Sequence, residues 1–162
     1  MVKVYLLLGG NLGDKRHVFS ETTRLLSERI GPITGQSHLY ETEPWGFESD
    51  DLFWNQALEL SVELSAPEVL EKCQQIEKEI GRIRKAQQYD SRIIDIDILF
   101  YGNEIVELPG LVIPHPRIGE RKFVLVPLNE IAAGLIHPVN HKSISQMLDE
   151  CPDPLKVEKV KQ

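Results

Sequence analysis

An α+β sandwich of the ferredoxin-like type is expected for this chain: a β-α-β-β-α-β core, a mainly antiparallel sheet and a C-terminal extension. Three observations point there. Strand-like apolar patterns recur at residues 2–8, 33–41, 53–64 and 94–98. Two stretches of helical spacing fall between the first and second strands and between the third and fourth. The resulting order puts helices over one face of the sheet. At 162 residues the whole chain, 1–162, fits one domain with a substantial core.

Residues 2–8 are a short apolar run with β character. Gly9-Gly10-Asn11-Leu12-Gly13-Asp14 follows and meets neither glycine fingerprint of nucleotide-binding folds. It is expected to be a tight turn with Asp14 as the N-cap of the next helix. Val18, Thr22, Leu25, Leu26 and Ile30 recur at helical spacing until Gly31-Pro32 ends the pattern. Residues 33–41 form the second strand. The loop after it carries Thr42, Glu43, Trp45 and Phe47, and reads either as a mobile cover or as a surface loop pinned by Trp45. In the third strand, Leu58, Leu60, Val62 and Leu64 share a core face, with Phe53, Asn55 and Ala57 on the other. An aromatic ring beside an amide suits a flat polar ring, held by stacking and hydrogen bonds.

Ser65-Ala66-Pro67-Glu68 is a capping box. The helix it opens buries Val69, Leu70, Cys73, Ile76 and Ile80, with Gly81 expected as its C-terminal stop. Residues 82–92 lack apolar periodicity and read as a basic loop. The fourth strand ends at Tyr101-Gly102-Asn103-Glu104, a turn. Residues 104–113 fit a small hairpin or an edge strand. Pro114-His115-Pro116-Arg117 breaks the chain. Residues 121–133 are largely helical with Pro127 disturbing them, and residues 143–150 give a short last helix. The tail after Cys151 has linker-like composition.

The apolar fraction of 41% and charged fraction of 27% are those of an ordinary globular protein. A net charge of −7 argues against general affinity for nucleic acid. Two cysteines make no disulfide framework and no zinc spacing, and no apolar run is long enough to span a membrane. No signal-peptide pattern precedes the first strand, so a reducing cytoplasm is the expected compartment.

The chemistry concentrates at Ile94-Asp95-Ile96-Asp97-Ile98. Its period of two puts the isoleucines on a packed face and Asp95 and Asp97 together on the other. Their Cα atoms then lie about 6–7 Å apart, from the strand rise. Two neighbouring carboxylates repel, and aspartate is a poor strand former. Holding a divalent cation is the simplest use that offsets both costs. An acidic strand face exposed to solvent is the plainer alternative. Arg82, Arg84, Lys85 and Arg92 upstream, and His115, Arg117, Arg121 and Lys122 downstream, favour the cation reading. Clustered guanidinium groups around paired carboxylates suit a magnesium-bound polyphosphate.

Together these pieces resemble the 6-hydroxymethyl-7,8-dihydropterin pyrophosphokinase family of folate biosynthesis. Gly81-Arg82-Ile83-Arg84-Lys85, followed by Arg92-Ile93-Ile94-Asp95-Ile96-Asp97-Ile98-Leu99, carries most of the resemblance. Gly9 to Gly13, Thr42 to Gly46, Asn55, and Pro114-His115-Pro116-Arg117 with Arg121 add to it. The resemblance implies transfer of pyrophosphate from ATP to the pterin hydroxymethyl oxygen, leaving AMP. It implies two Mg²⁺ ions on Asp95 and Asp97, with Arg82 and Arg92 closing over the phosphates as catalytic cations. It places ATP near Leu70, Gln74, Glu77, Arg84, Ile98, His115 and Arg121. It places the pterin near Thr42, Glu43, Trp45, Asn55 and Asp95, sandwiched between Phe53 and Phe123.

The chain departs from the family pattern at Tyr89, where tryptophan is common, and at Asp90-Ser91, where Gly-Pro is common. Val112 and Pro116 stand where some relatives offer hydroxyls. Residues 82–92 are expected to order on ATP binding. The expected enzyme is a monomer with no nucleic-acid or membrane partner. Two competing readings are another Mg²⁺-dependent enzyme of phosphorylated metabolites, such as a phosphatase, and a non-catalytic nucleotide-binding ferredoxin-like module.

Overall fold

The computed structural model describes residues 1–42, 52–84 and 93–161. Strand β1 (Val2–Gly10) leads into helix α1 (Lys15–Arg29), then strands β2 (Ile33–Gln36), β3 (Tyr40–Thr42) and β4 (Phe53–Val62). Helix α2 (Ala66–Arg84) precedes β5 (Asp95–Tyr101) and the hairpin β6 (Val106–Leu108) and β7 (Leu111–Ile113). Helices α3 (Lys122–Ala132) and α4 (Ile144–Glu150) and strand β8 (Glu158–Lys159) follow. The main sheet runs β5-β1-β4-β3-β8, with β2 also paired to β4, and its pairings are antiparallel. The expected β-α-β-β-α-β core is therefore present. No helix among the described residues is long and apolar enough to cross a membrane.

Alternation along β1 sorts the two faces. Val4, Leu6 and Leu8 pack with Leu26 of α1, with Val69, Cys73 and Ile76 of α2, and with Ile96 and Ile98 of β5. Tyr5 and Leu7 pack with Ala57 and with Val124, Leu125 and Leu128 of α3. The C-terminal elements thus close the second face rather than merely flanking the core. Within β5 the pairing slips: Leu6 faces Ile98, but Tyr5 faces Phe100. The extra residue, Leu99, is a bulge, and it lets Leu99 and Phe100 both enter the α3 side. Below the bulge, Asp95 and Asp97 keep strict alternation with Ile96 and Ile98.

Local signals explain most ends. Asp14 Oδ1 accepts from the His17 N–H at 3.2 Å, capping α1. Ser65 Oγ accepts from Glu68 N–H at 3.3 Å while Glu68 Oε1 accepts from Ser65 N–H at 3.0 Å, a closed capping box. Ser143 Oγ caps α4 by accepting from the Gln146 N–H.

Several expectations are corrected. The pair Gly9-Gly10 is not a turn but the end of β1, in register with β4 and, at Gly9, with β5. Gly81 does not stop α2, which continues through Arg82 to Arg84. Nothing crowds a Cβ at Gly81 and its φ is not positive, so the position tolerates helix without needing glycine. The second strand is split at residues 37–39, because Ser37 Oγ takes the Ala57 N–H of β4 and interrupts the ladder. The third strand stops at Val62, two residues short. Of the two alternatives for residues 104–113, the hairpin is the one found, at residues 106–113 and separate from the main sheet. The tail after Cys151 is folded and ends in β8.

Candidate functional site

On the α3 side of the sheet lies a cavity of about 690 Å³, within the range of small-molecule sites. Its floor follows from register. Asp95 of β5 faces Gly9 of β1, and Gly9 faces Asn55 of β4, so these three residues form one row across the sheet. Asp97, Leu7 and Ala57 form the next row. Paired residues in an antiparallel sheet share a face. The acidic pair and the Asn55 amide therefore open into the same cavity, separated only by a residue with no side chain. An ideal Cβ on Gly9 would sit 2.9 Å from Asn55 Nδ2.

Phe53 and Thr42, themselves paired, continue the wall on the β4–β3 side. Phe123, Arg121, Arg117 and Glu120 close it from the start of α3 and the 3-10 turn before it. The Arg121 guanidinium lies 5.7 Å from the centre of the Phe123 ring. Asn55 is almost fully buried, with Nδ2 3.4 Å from the Leu8 carbonyl oxygen, a long bond that leaves most of its amide capacity for another partner.

His115 is tied to the bulge: its N–H donates to the Leu99 carbonyl at 3.1 Å. Its Nδ1 accepts from the Arg117 N–H at 3.3 Å, so the neutral ring carries its proton on Nε2. Burial lowers the His115 pKa, and Arg121 and Arg117 lower it further against the opposing pull of Asp97. The imidazole is thus a neutral donor near a strongly charged site.

Asp95 and Asp97 offer oxygen ligands from a rigid strand. No group of three or more His, Cys, Asp or Glu side chains able to hold a metal comes together among the described residues. A cation here would take the rest of its shell from water and substrate oxygens. Magnesium binds in that way, through one or two carboxylates plus phosphates, so the donor set fits it.

The expected nucleotide residues divide between two places. Asp95, Asp97 and Arg121 line the cavity. Leu70 and Ile98 pack instead on the α2 side of β5. Glu77 Oε2 there accepts the Ile96 N–H at 2.8 Å, and Gln74 lies exposed on the same helix. Arg82 and Arg84 fall in the last turn of α2, their side chains outside what is described. Glu43, Trp45 and Arg92 lie outside the described residues, as do Tyr89, Asp90 and Ser91. Val112 sits exposed on the β6–β7 hairpin.

Leu7, Glu120 and Leu155 line the cavity without having been singled out by sequence, and Gly9, part of the motif Gly9 to Gly13, lines it as a strand residue rather than in a turn. Arg117 was noted in a basic cluster and in the motif Pro114-His115-Pro116-Arg117, without a role of its own. A glycine between two strand-paired functional residues has no one-dimensional signature. Leu155 sits in a tail whose composition read as linker-like.

Comparison with known proteins accords with this geometry. A profile of the family described as 7,8-dihydro-6-hydroxymethylpterin-pyrophosphokinase (HPPK) matches residues 5–133. The chain is 43% identical over 141 residues to a 2-amino-4-hydroxy-6-hydroxymethyldihydropteridine pyrophosphokinase of Porphyromonas gingivalis, covering 85% of this chain and 95% of that one. It is 41% identical over 128 residues to the Bacillus subtilis protein of the same name, covering 78% and 76%. Among solved structures it resembles Plasmodium falciparum HPPK-DHPS, at TM-score 0.72 and 17% identity, over 92% of this chain and 44% of that chain. The match to that structure concerns the fold alone, and this chain spans less than half of its length. The profile match and the identities to whole-length relatives make this chain a member of the HPPK family.

Proposed function

We propose that this protein transfers the pyrophosphoryl group of ATP to the hydroxymethyl oxygen of 6-hydroxymethyl-7,8-dihydropterin, leaving AMP and the pterin diphosphate. The observation that carries this is the row Asp95–Gly9–Asn55, which sets an acidic pair beside an aromatic and amide pocket in one cavity. A phosphatase would need the first feature and not the second.

In this reading Phe53 and Phe123 stack on the two faces of the pterin, and Asn55 reads its edge. Thr42, at the end of β3 rather than in the loop that sequence suggests, contacts the ring from the wall, and Glu43 and Trp45 contribute to the same site. Buried polar readers of this kind reject analogues that lack the matching groups. Asp95 and Asp97 would hold Mg²⁺, two ions by the family resemblance, and a metal bound there would supply neutralisation of phosphate charge and polarisation of the acceptor hydroxyl. Leu70, Gln74, Glu77 and Ile98 receive the nucleoside on the α2 side, and the phosphate chain passes round the outer edge of β5 towards Asp95 and Asp97. His115 donates from Nε2, and Arg121 from its fork, to phosphate oxygens. Arg82, Arg84 and Arg92 supply the remaining cations for the phosphates. Attack falls on the β-phosphorus, so the protein's work is alignment and charge stabilisation. We take the enzyme to act as a monomer in the cytoplasm, which sedimentation and cell fractionation test.

Incubating the protein with Mg²⁺, ATP and the hydroxymethyl pterin tests the reading. AMP and pterin diphosphate in equal amounts are expected. Orthophosphate with no pterin product would overturn it.

A further inference from the structure

Residues 134–161 lie beyond the stretch matched by the family profile, yet part of this segment reaches the cavity. Past α4 the chain crosses the start of α3. There the buried Asp153 carboxylate accepts the Lys122 N–H on Oδ2 and the Leu155 N–H on Oδ1, each at 3.0 Å. Leu155 then forms part of the cavity wall, with Phe53, Asn55 and Phe123. Beyond it, β8 adds to β3, pairing Lys159 with Tyr40 and Glu158 with Glu41. The Val160 N–H donates to the Leu39 carbonyl at 2.8 Å, and the Arg16 guanidinium donates to the Lys161 carbonyl at 2.6 Å.

The strap is fastened at both ends to elements that build the cavity. The first fastening has a clear cause. The residue at the N-cap of α3 is Arg121, whose side chain makes no capping bond. The first N–H groups of a helix have no partner inside it. Asp153 supplies an acceptor from a distant part of the chain, and its negative charge suits the positive end of the helix. The turn it holds carries Arg121 and Phe123.

We propose that Asp153 is a positioning residue for the first turn of α3, and that Leu155 determines specificity as a wall of the site for the acceptor ring. This rests on reading the cavity as the pterin site. Leu155 limits how far the ring extends away from Asn55, and Asp153 sets where Phe123 meets that ring.

Steady-state kinetics on the full chain test it, with pterin and ATP varied separately. Leu155→Ala raises the pterin KM about tenfold, the scale of a lost apolar contact in a pocket. It leaves the ATP KM and kcat within about twofold. Leu155→Phe, which narrows the cavity without emptying it, also raises the pterin KM. Asp153→Ala raises the pterin KM and lowers kcat, because Phe123 and Arg121 shift together. Asp153→Asn keeps an oxygen acceptor and recovers most of both. Asn55→Ala serves as the reference. If Asn55→Ala raises the pterin KM while the Leu155 and Asp153 variants do not, the strap inference falls and the site reading stands. If Asn55→Ala is also silent, the site reading itself fails. Losses that merely follow thermal stability, equal for both substrates and not rescued by Asp153→Asn, would likewise overturn the proposal.

Discussion

Replacing Gly9 by alanine should uncouple acceptor binding from stability. The added methyl would lie 2.9 Å from Asn55 Nδ2 and 4.0 Å from the Trp54 carbonyl oxygen. The close neighbour is the end of a side chain, so the amide can swing away while the strands stay paired. Alanine also restricts the unfolded chain more than glycine does. The net change in stability should stay below about 1 kcal/mol, a few degrees in Tm for a chain of this size. The swing removes Asn55 from the edge of the ring, however, and leaves polar groups of the ligand unmatched in a buried site. That costs about 1–3 kcal/mol, or roughly 5- to 150-fold in Kd for the pterin. On the proposed reading ATP contacts Asp95, Asp97 and the α2 side rather than Asn55, so it should bind as before. Calorimetric titration of pterin in the presence of a non-hydrolysable ATP analogue reads the effect directly. Gly10→Ala is the contrast: its Cβ would meet the Ile93 backbone oxygen at 2.5 Å, which cannot swing. That variant should lose about 1–3 kcal/mol of stability through strain at the entry to β5. Wild-type pterin affinity in Gly9→Ala, or equal losses for pterin and ATP, would refute the account of the floor.

Asp97→Ala should abolish nearly all turnover while leaving circular dichroism and Tm close to wild type, since the side chain points into the cavity; turnover like wild type would remove the acidic pair from the chemistry. Glu130 on α3 fastens β3 by accepting from the Tyr40 hydroxyl at 2.5 Å, from the His38 N–H and from His38 Nδ1 at 2.8 Å. Burial alone would raise the Glu130 pKa, but the Tyr40 and His38 bonds together hold it below 4.5. A lowered carboxylate contributes fully above its ordinary pKa and loses that contribution as pH falls through the lowered one. Glu130→Ala should therefore cost about 1–2 kcal/mol at neutral pH, and the gap to wild type should narrow below pH 4.5 in denaturant titrations. The Cys73 thiol is pushed up to about 12 by burial, with Glu77 and Asp97 adding to it. Thiol reagents at pH 8 should leave Cys73 untouched in the folded protein and label it in denaturant.

Features set by neighbours along the chain were legible in advance. The alternation of Asp95 and Asp97 with isoleucines, the Ser65–Glu68 box and the Asp14 cap depend on residues within four positions of one another, and each lies where its pattern put it. Features decided across the sheet were not. Gly9 looked like a turn residue because its strand partners, Asn55 and Asp95, are far away in sequence. Gly81 looked like a helix stop because glycine usually is one. The break at residues 37–39 depends on a hydroxyl reaching β4. In the site, the acidic pair and the ring pocket could each be read singly. Their adjacency was implied only by the family resemblance and not by the residues themselves, because it comes from register. Leu155 was invisible because nothing in the spacing of the tail's few apolar residues, Leu155, Val157 and Val160, sets it apart from the others.

The hydrogen bond from Ile96 to Glu77 has a consequence for colloidal behaviour. A marginal strand that offers bare amide groups is a template on which a second polypeptide can grow, the first step towards fibres or exchanged dimers. Here the carboxylate on α2 occupies one such amide at the β5 margin, and the opposite margin, β8, is only two residues long and carries Glu158 and Lys159. Among the described residues the β5 and β8 margins are thus both blunted by charge, which disfavours growth of a second chain along either of them.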